Sequence, residues 1–263
     1  MNTKGIFASM KAGIAAVIFA TSVSSCSVSQ LENIASSVGG RTPEGEIKER
    51  TYDFKDIQAI EAYSGVKVYY TQNPSATSVV VKAPADVLEV ADIKMDGTTL
   101  SVSLKSGSNF RYKSDSQRLQ AYVNAPAVKY FAAYAGADIA AEAPVNIYDT
   151  LAVEAHSGST VSFADLAAPK AIATASSGAT INFALLKCEN ADIEASAGAS
   201  IGVEGESSRA EIGASAGASV NASKFFVQKG KINAYAGASV RAAVRDAKVD
   251  CSGGATVSNN SKF

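Results

Sequence analysis

A four-residue unit centred on glycine recurs seven times through the second half of this 263-residue chain. The occurrences are Tyr134-Ala-Gly136-Ala, His156-Ser-Gly158-Ser, Ser176-Ser-Gly178-Ala, Ser196-Ala-Gly198-Ala, Ser215-Ala-Gly217-Ala, Tyr235-Ala-Gly237-Ala and Ser252-Gly-Gly254-Ala. Their glycines lie 22, 20, 20, 19, 20 and 17 residues apart. A period this even marks an array whose units stack on one another.

Around each glycine the hydrophobicity alternates with period two, which is the strand pattern. Apolar residues fall seven, five and three places before the glycine, as in Leu151, Val153, Ala155 and in Ala191, Ile193, Ala195. Ala210, Ile212, Ala214 and Ala247, Val249, Cys251 repeat the phase, with Glu154, Thr174, Glu194, Asn233 and Asp250 pointing the other way. Three places after the glycine stands a branched apolar residue every time: Ile139, Val161, Ile181, Ile201, Val220, Val240, Val257. Only Ile172 falls out of phase. Each unit therefore reads as strand, glycine corner, strand and variable polar loop. One such unit cannot bury its apolar edge alone, so neighbours must stack. The expected fold is all-β: a single-stranded β-solenoid, or β-helix, with about seven coils of roughly twenty residues over 126–263. The corner residues Thr160, Thr180, Ser200, Ser219, Ser239 and Thr256 form an outward row expected to share hydrogen bonds between coils. The composition suits a narrow core, because there is no Trp and Ala, Ser, Gly and Val dominate the repeats.

The first residues have a different role. Lys4 and Lys11 precede the short apolar run 12–20, too short to span a bilayer, and small polar residues follow. Residues 1–25 are expected to be a secretory signal. Val23-Ser24-Ser25-Cys26 resembles a bacterial lipobox, in which the chain is cut before the cysteine and that cysteine is acylated. Lipid attachment at Cys26 implies a membrane partner and an outer-membrane or other envelope location, because several acyl chains anchor stably where one does not. Residues 26–45, with Gly39-Gly40 and Pro43, read as anchor and tether. The folded domain is expected over 46–263, with 46–125 a wider β-region that caps the coils. It includes the strand Ser64-Gly65-Val66-Lys67-Val68-Tyr69 and a hairpin about Asp96-Gly97. Cys251 is expected to pack inward as a small hydrophobe and Cys188 to lie in a loop three coils away. That is about 14 Å along the axis, too far for a disulfide.

The Ser64-Gly65-Val66-Lys67-Val68-Tyr69 strand, the glycine hairpin and the repeated Ala-Gly-Ala-Ser-Val corners together resemble the putative autotransporter adhesin, head GIN domain family. The resemblance covers roughly residues 50 to 260 and implies a bacterial envelope protein with a β-solenoid fold. It supplies no catalytic or binding residues.

The residues themselves point away from catalysis. The single histidine, His156, stands beside Ser157 and Ser159, but all three occupy ordinary corner positions of the repeat. No histidine–cysteine set has zinc spacing, and no glycine-rich phosphate loop precedes a helix, so neither metal nor cofactor is expected. A formal charge of −1 without a basic, aromatic stripe excludes nucleic acid as a partner. Glu154 and Glu194, two coils apart, stand about 10 Å from each other, near the spacing of an inverting glycosidase. The basic, aromatic stretch from Phe110 to Arg118 reads as a binding loop or a plain hairpin end. The expectation is a non-catalytic lipoprotein presenting a solenoid for adhesion to a protein or glycan ligand. The alternative is a polysaccharide-binding or polysaccharide-cleaving β-helix protein. A structural role as a homo-oligomer is a third reading.

Overall fold

The computed structural model describes residues 40–263. The expected signal peptide, Cys26 and the tether up to residue 39 lie outside the described residues. Eighteen strands form one continuous coiled sheet. The N-terminal region contributes β1 (Ile47–Tyr52), β2 (Ala59–Ala62), β3 (Lys67–Gln72), β4 (Ser78–Pro84), the one-turn helix α1 (Ala85–Glu89), β5 (Ala91–Asp96), β6 (Thr99–Leu104) and β7 (Gln120–Ala125). The coils follow as β8 (Tyr130–Ala133), β9 (Asp138–Ala141), β10 (Val145–Asn146), β11 (Thr150–His156), β12 (Thr160–Phe163) and β13 (Leu166–Ser176). Then come β14 (Thr180–Ala195), β15 (Ser200–Ala214), β16 (Ser219–Ala234), β17 (Ser239–Cys251) and β18 (Thr256–Asn259). The result is a β-solenoid of about 6 turns.

The predicted phase holds along the array. Ile181, Phe183, Ile193, Ile201, Val203, Ile212, Val220, Ile232 and Val240 are all buried, with Ala175, Ala195, Ala214 and Ala234 at the corners. Each fully buried branched or aromatic side chain stabilises the stack by about 1.5–3 kcal/mol relative to exposure. Ile172 does not break the pattern: it points outward and is half-buried, while Ala171 and Ala173 beside it face the core. The expected polar loop is instead a third strand face. Leu166, Leu186, Phe225, Val227 and Val244 fill it from within, and parallel pairs such as Leu166 with Leu186 hold its register. Gly205 makes its bend at φ 126°, with Leu186 O only 2.0 Å from where a Cβ would stand.

Each corner is a turn of type I′ in which both central residues have positive φ. The glycines lie at 70° to 76°, and the residues before them, from Ser64 to Ala236, at 49° to 57°. A Cβ built on Gly158, Gly178 or Gly198 meets nothing within 4 Å, so backbone conformation and not crowding demands glycine there. The non-glycine neighbour costs about 1 kcal/mol at every corner except the last, where Gly253 takes its place. A column of backbone bonds offsets this cost: Gly136 N–H donates to Ser157 O, Gly158 to Ser177, Gly178 to Ala197, Gly198 to Ala216 and Gly217 to Ala236, each at 3.0–3.1 Å. The outward Thr160–Thr180–Ser200 row is in register, but among the described residues its hydroxyls do not bond one another. The backbone carries the bonds there, for example Thr180 N–H to Ser159 O at 2.8 Å.

The N-terminal region departs further from expectation. Tyr63-Ser64-Gly65-Val66 is an eighth corner of the same kind, and its Gly65 N–H donates to Ala135 O at 3.0 Å. The coil it belongs to is interleaved. β2 lies between β6 and β8, and β3 between β7 and β9, all parallel. The chain lays down this coil first, then builds the end of the solenoid beneath it, then returns above it. That end is closed by antiparallel pairs, β5 on β6 and β1 on β4 on β7. Gly40–Gly45, expected in the tether, are already docked: Arg41 N–H donates to Asn109 O at 3.1 Å, Arg111 N–H donates to Arg41 O at 2.9 Å, and Pro43 is buried.

Both cysteines Cys188 and Cys251 are free. Cys188 sits in the third strand face and not in a loop, and burial raises its thiol pKa. Cys251 keeps the inward phase but is exposed, contrary to expectation, because β18 covers only Ser239–Ala242 of its strand and, among the described residues, nothing pairs beyond them.

Candidate functional site

The strand face that precedes the corners carries three outward rows, two, four and six places before each glycine. Parallel register aligns them, so Glu154, Thr174, Glu194, Gly213 and Asn233 follow one another at one-coil steps. Steps of about 4.8 Å place Glu154 and Glu194 roughly 10 Å apart. The two carboxylates have different surroundings.

Glu154 belongs to an aromatic ladder near the first coil. Tyr63 stacks on Tyr134 with ring centroids 4.9 Å apart, and Tyr134 stacks on His156 at 5.2 Å. Glu154 Oε2 lies 3.4 Å from His156 Nε2, and His156 Nδ1 lies 2.7 Å from Ser176 Oγ. Tyr63 donates to Glu61 Oε2 at 2.6 Å. Burial and the carboxylate beside it push the Tyr63 hydroxyl pKa up; burial and the Tyr134 hydroxyl do the same for Tyr130. Beside the line Glu154–His156–Ser176, the Gly178 and Ala179 N–H groups are taken up by Ala197 O and Ser176 O. Ser159, one of the two serines beside His156 in the sequence, is buried; it donates to Ala133 O at 2.7 Å and accepts the His156 N–H. The geometry is that of a stacking column.

Glu194 lies on a groove of about 540 Å³, within the range of small-ligand sites. The groove exists because its rows change size. Gly213 has no side chain between Glu194 and Asn233, and Ser196 and Ser215 are small beside Tyr235. Asp192, Glu194 and Glu211 supply carboxylates. Lys231 Nζ and Asn233 Nδ2 both donate to Glu211 Oε1 at 3.1 Å. Asn233 Oδ1 is enclosed and accepts no hydrogen bond. Tyr235 donates to Asp250 Oδ2 at 2.7 Å, which raises its pKa. Carboxylates, an amide and a tyrosine along an open groove can take hydroxyl-rich or amine-bearing ligands. Among the described residues no cluster of His, Cys, Asp and Glu could hold a metal ion.

The sequence points to His156, Glu154 and Glu194 as candidates, and Asn233 stands in the same outward row as the two glutamates. Asp192 and Glu211, six places before their glycines, and Tyr235, two places before Gly237, lie in the neighbouring rows. The stretch from Phe110 to Arg118 is exposed at residues 111 and 113–116 but is anchored at its end by Arg118. Arg118 donates to Gly65 O at 2.6 Å, Val66 O at 3.2 Å and Gly136 O at 3.0 Å, and pairs with Asp138 at 2.5 Å. It fastens two corners together.

The family model described as "Putative auto-transporter adhesin, head GIN domain" matches residues 56–261. The chain belongs to this family. The head GIN domain here is also similar in fold to several crystal structures. One, described as a "putative adhesin" from Parabacteroides merdae, has a TM-score of 0.71 at 17% identity, covering 83% of this chain and 98% of that one. Another "putative adhesin", from Bacteroides fragilis, has a TM-score of 0.72 at 14% identity over 84% and 100% of the two chains. A "putative lipid binding protein" from Parabacteroides distasonis has a TM-score of 0.69 at 13% identity over 84% and 97%. At these identities the likeness establishes the fold alone. No curated protein matches the chain.

Proposed function

We propose that the protein is a non-catalytic cell-envelope lipoprotein whose solenoid presents an adhesive surface to a protein or glycan ligand. In this reading acyl chains on Cys26 hold it at the membrane, and residues 27–39 separate the domain from the bilayer. Membership of the head GIN family supports an adhesion-type role. The observation that carries the reading is the groove between Glu194 and Tyr235. It offers carboxylate, amide and hydroxyl groups along the strand face, and its neighbour is a stacked aromatic column. Bonds from carboxylate and amide to sugar hydroxyls, with a ring for the sugar face, are the chemistry of a glycan contact.

A glycan array probed with Gly40–Phe263, which holds the whole described core in one compact unit, tests this. Binding should fall on Tyr235→Ala and on Gly213→Gln, which fills the notch, with the melting temperature little changed. Reproducible turnover of an acidic polysaccharide that is lost on Glu154→Gln would overturn the non-catalytic reading. Membrane fractionation of the wild type and Cys26→Ser tests the anchor: the variant should become soluble, and continued membrane association would count against acylation.

A further inference from the structure

The far end of the solenoid is unfinished on one face only. The last coil's second face is covered by β18, which pairs with Ser239–Ala242 of β17. Its third face is closed by a side chain: Asn259 Oδ1 accepts from Val244 N–H at 2.8 Å and Asn259 Nδ2 donates to Val244 O at 2.9 Å. Phe263 then folds against Phe226 and Arg245. The first face has no such cover. Among the described residues no strand pairs with the outer side of Arg245–Cys251. Its inward residues are consequently bare, with Val249 51% exposed and Cys251 exposed.

This edge has a definite hydrogen-bonding face. Ser252 N–H donates back to Ala234 O, so in a parallel strand the even-numbered residues bond to β16. The N–H and C=O groups of Ala247, Val249 and Cys251 therefore point away from the molecule. A bare strand edge with apolar residues on its core side is a template for another strand.

We propose that this edge pairs with the same edge of a second copy, antiparallel about a twofold axis at Val249, so that two solenoids join end to end through one continuous first face. Three features favour this occupant and this register over one centred on Lys248. A twofold centred on Val249 puts Val249 against Val249 and Ala247 against Cys251, all on the core side. It sets Lys248 opposite Asp250 twice on the outer side, whereas centring on Lys248 would oppose Lys248 to itself and Asp246 to Asp250, like charges that destabilise a pair. It also makes the narrow, doubly bonded pairs fall on the residues with free backbone groups, giving about six interchain bonds. The contact is isologous and closes, so it yields a dimer and not a filament.

Sedimentation equilibrium of Gly40–Phe263 across the micromolar range tests the pairing. The expected result is a monomer–dimer equilibrium. Val249→Lys should weaken it by at least about tenfold without lowering the melting temperature, because the residue is exposed in the monomer. Lys248→Asp and Asp250→Lys should each weaken it, and the double variant should restore it. In a Cys188→Ser background, Ala247→Cys should form an oxidised dimer with Cys251 of the partner subunit. Narrow pairs place Cα atoms about 5.5 Å apart, within disulfide reach. A monomer throughout, a dimer indifferent to Val249→Lys and to the charge reversals, or a dimer that never cross-links at Ala247→Cys would overturn the proposal.

Discussion

The two ends of this solenoid are built from the same corner but finished in opposite ways. At the N-terminal end an early coil is interleaved, and antiparallel strands then close the stack beneath it. Charged Lys48, Glu49 and Arg50 line the outermost strand there, and Lys82 pairs with Glu49 across it. At the C-terminal end parallel coils are added one by one until a strand is left with Ala247, Val249 and Cys251 uncovered. A parallel coil always leaves a new edge identical in kind to the one it covered, whereas an antiparallel hairpin can turn that edge polar and end the array. The difference also predicts coupling. Each regular coil touches its neighbours alone, while the interleaved coil ties together segments distant in sequence.

The largest effect is expected in the regular array. Gly205→Ala would place a Cβ 2.0 Å from Leu186 O, costing about 4 kcal/mol or more. Because the coupling there is between neighbours, calorimetry should show the later coils melting separately from the N-terminal region. Phe131→Ala removes a ring packed between Tyr70 and Phe163, each 5.1 Å away, for about 3–5 kcal/mol. Here a single cooperative transition should move to lower temperature, since interleaving joins the parts; a split transition would refute that coupling. Arg118→Ala frees three corner carbonyls and Asp138, and should cost about 2 kcal/mol in urea unfolding. Gly198→Ala meets no neighbour, so only its φ of 72° opposes it, at about 1–2 kcal/mol.

The smallest effect shows only at alkaline pH. Burial raises the Tyr70 hydroxyl to about 12, and burial also raises Tyr112 and Tyr134. The unfolded chain ionises these groups near 10. Their stabilisation is therefore complete below pH 10 and is lost as pH rises towards the folded-state values. Most of the raised tyrosines lie between residues 63 and 134, so alkaline unfolding followed at 295 nm should begin in the N-terminal region.

These contrasts also explain what the sequence could tell. The corners, their phase and the inward residues such as Ile201 and Val240 were legible because stacking forces every coil to repeat them. The interleaving was not, although Ser64-Gly65-Val66 carries the same signature as the later corners. A long insertion separates it from Gly136, and sequence order gave no sign that β3 returns between β7 and β9. The third face was hidden because bends such as that at Gly205 interrupt the period-two alternation. Cys251 had the right phase and the wrong surroundings: phase is local, whereas burial needs the next coil. The groove is legible only row by row, since its floor is an absent side chain at Gly213.

Residue-resolved amide exchange at several protein concentrations tests the contrast between the ends most directly. The amides of Ala247, Val249 and Cys251 should exchange quickly in dilute solution and slow as concentration rises. Those of Lys248 and Asp250, bonded to β16, should stay protected throughout, and exchange along β1 and β5 should not depend on concentration. Equal concentration dependence at both ends, or protection of Val249 in dilute monomer, would contradict the account.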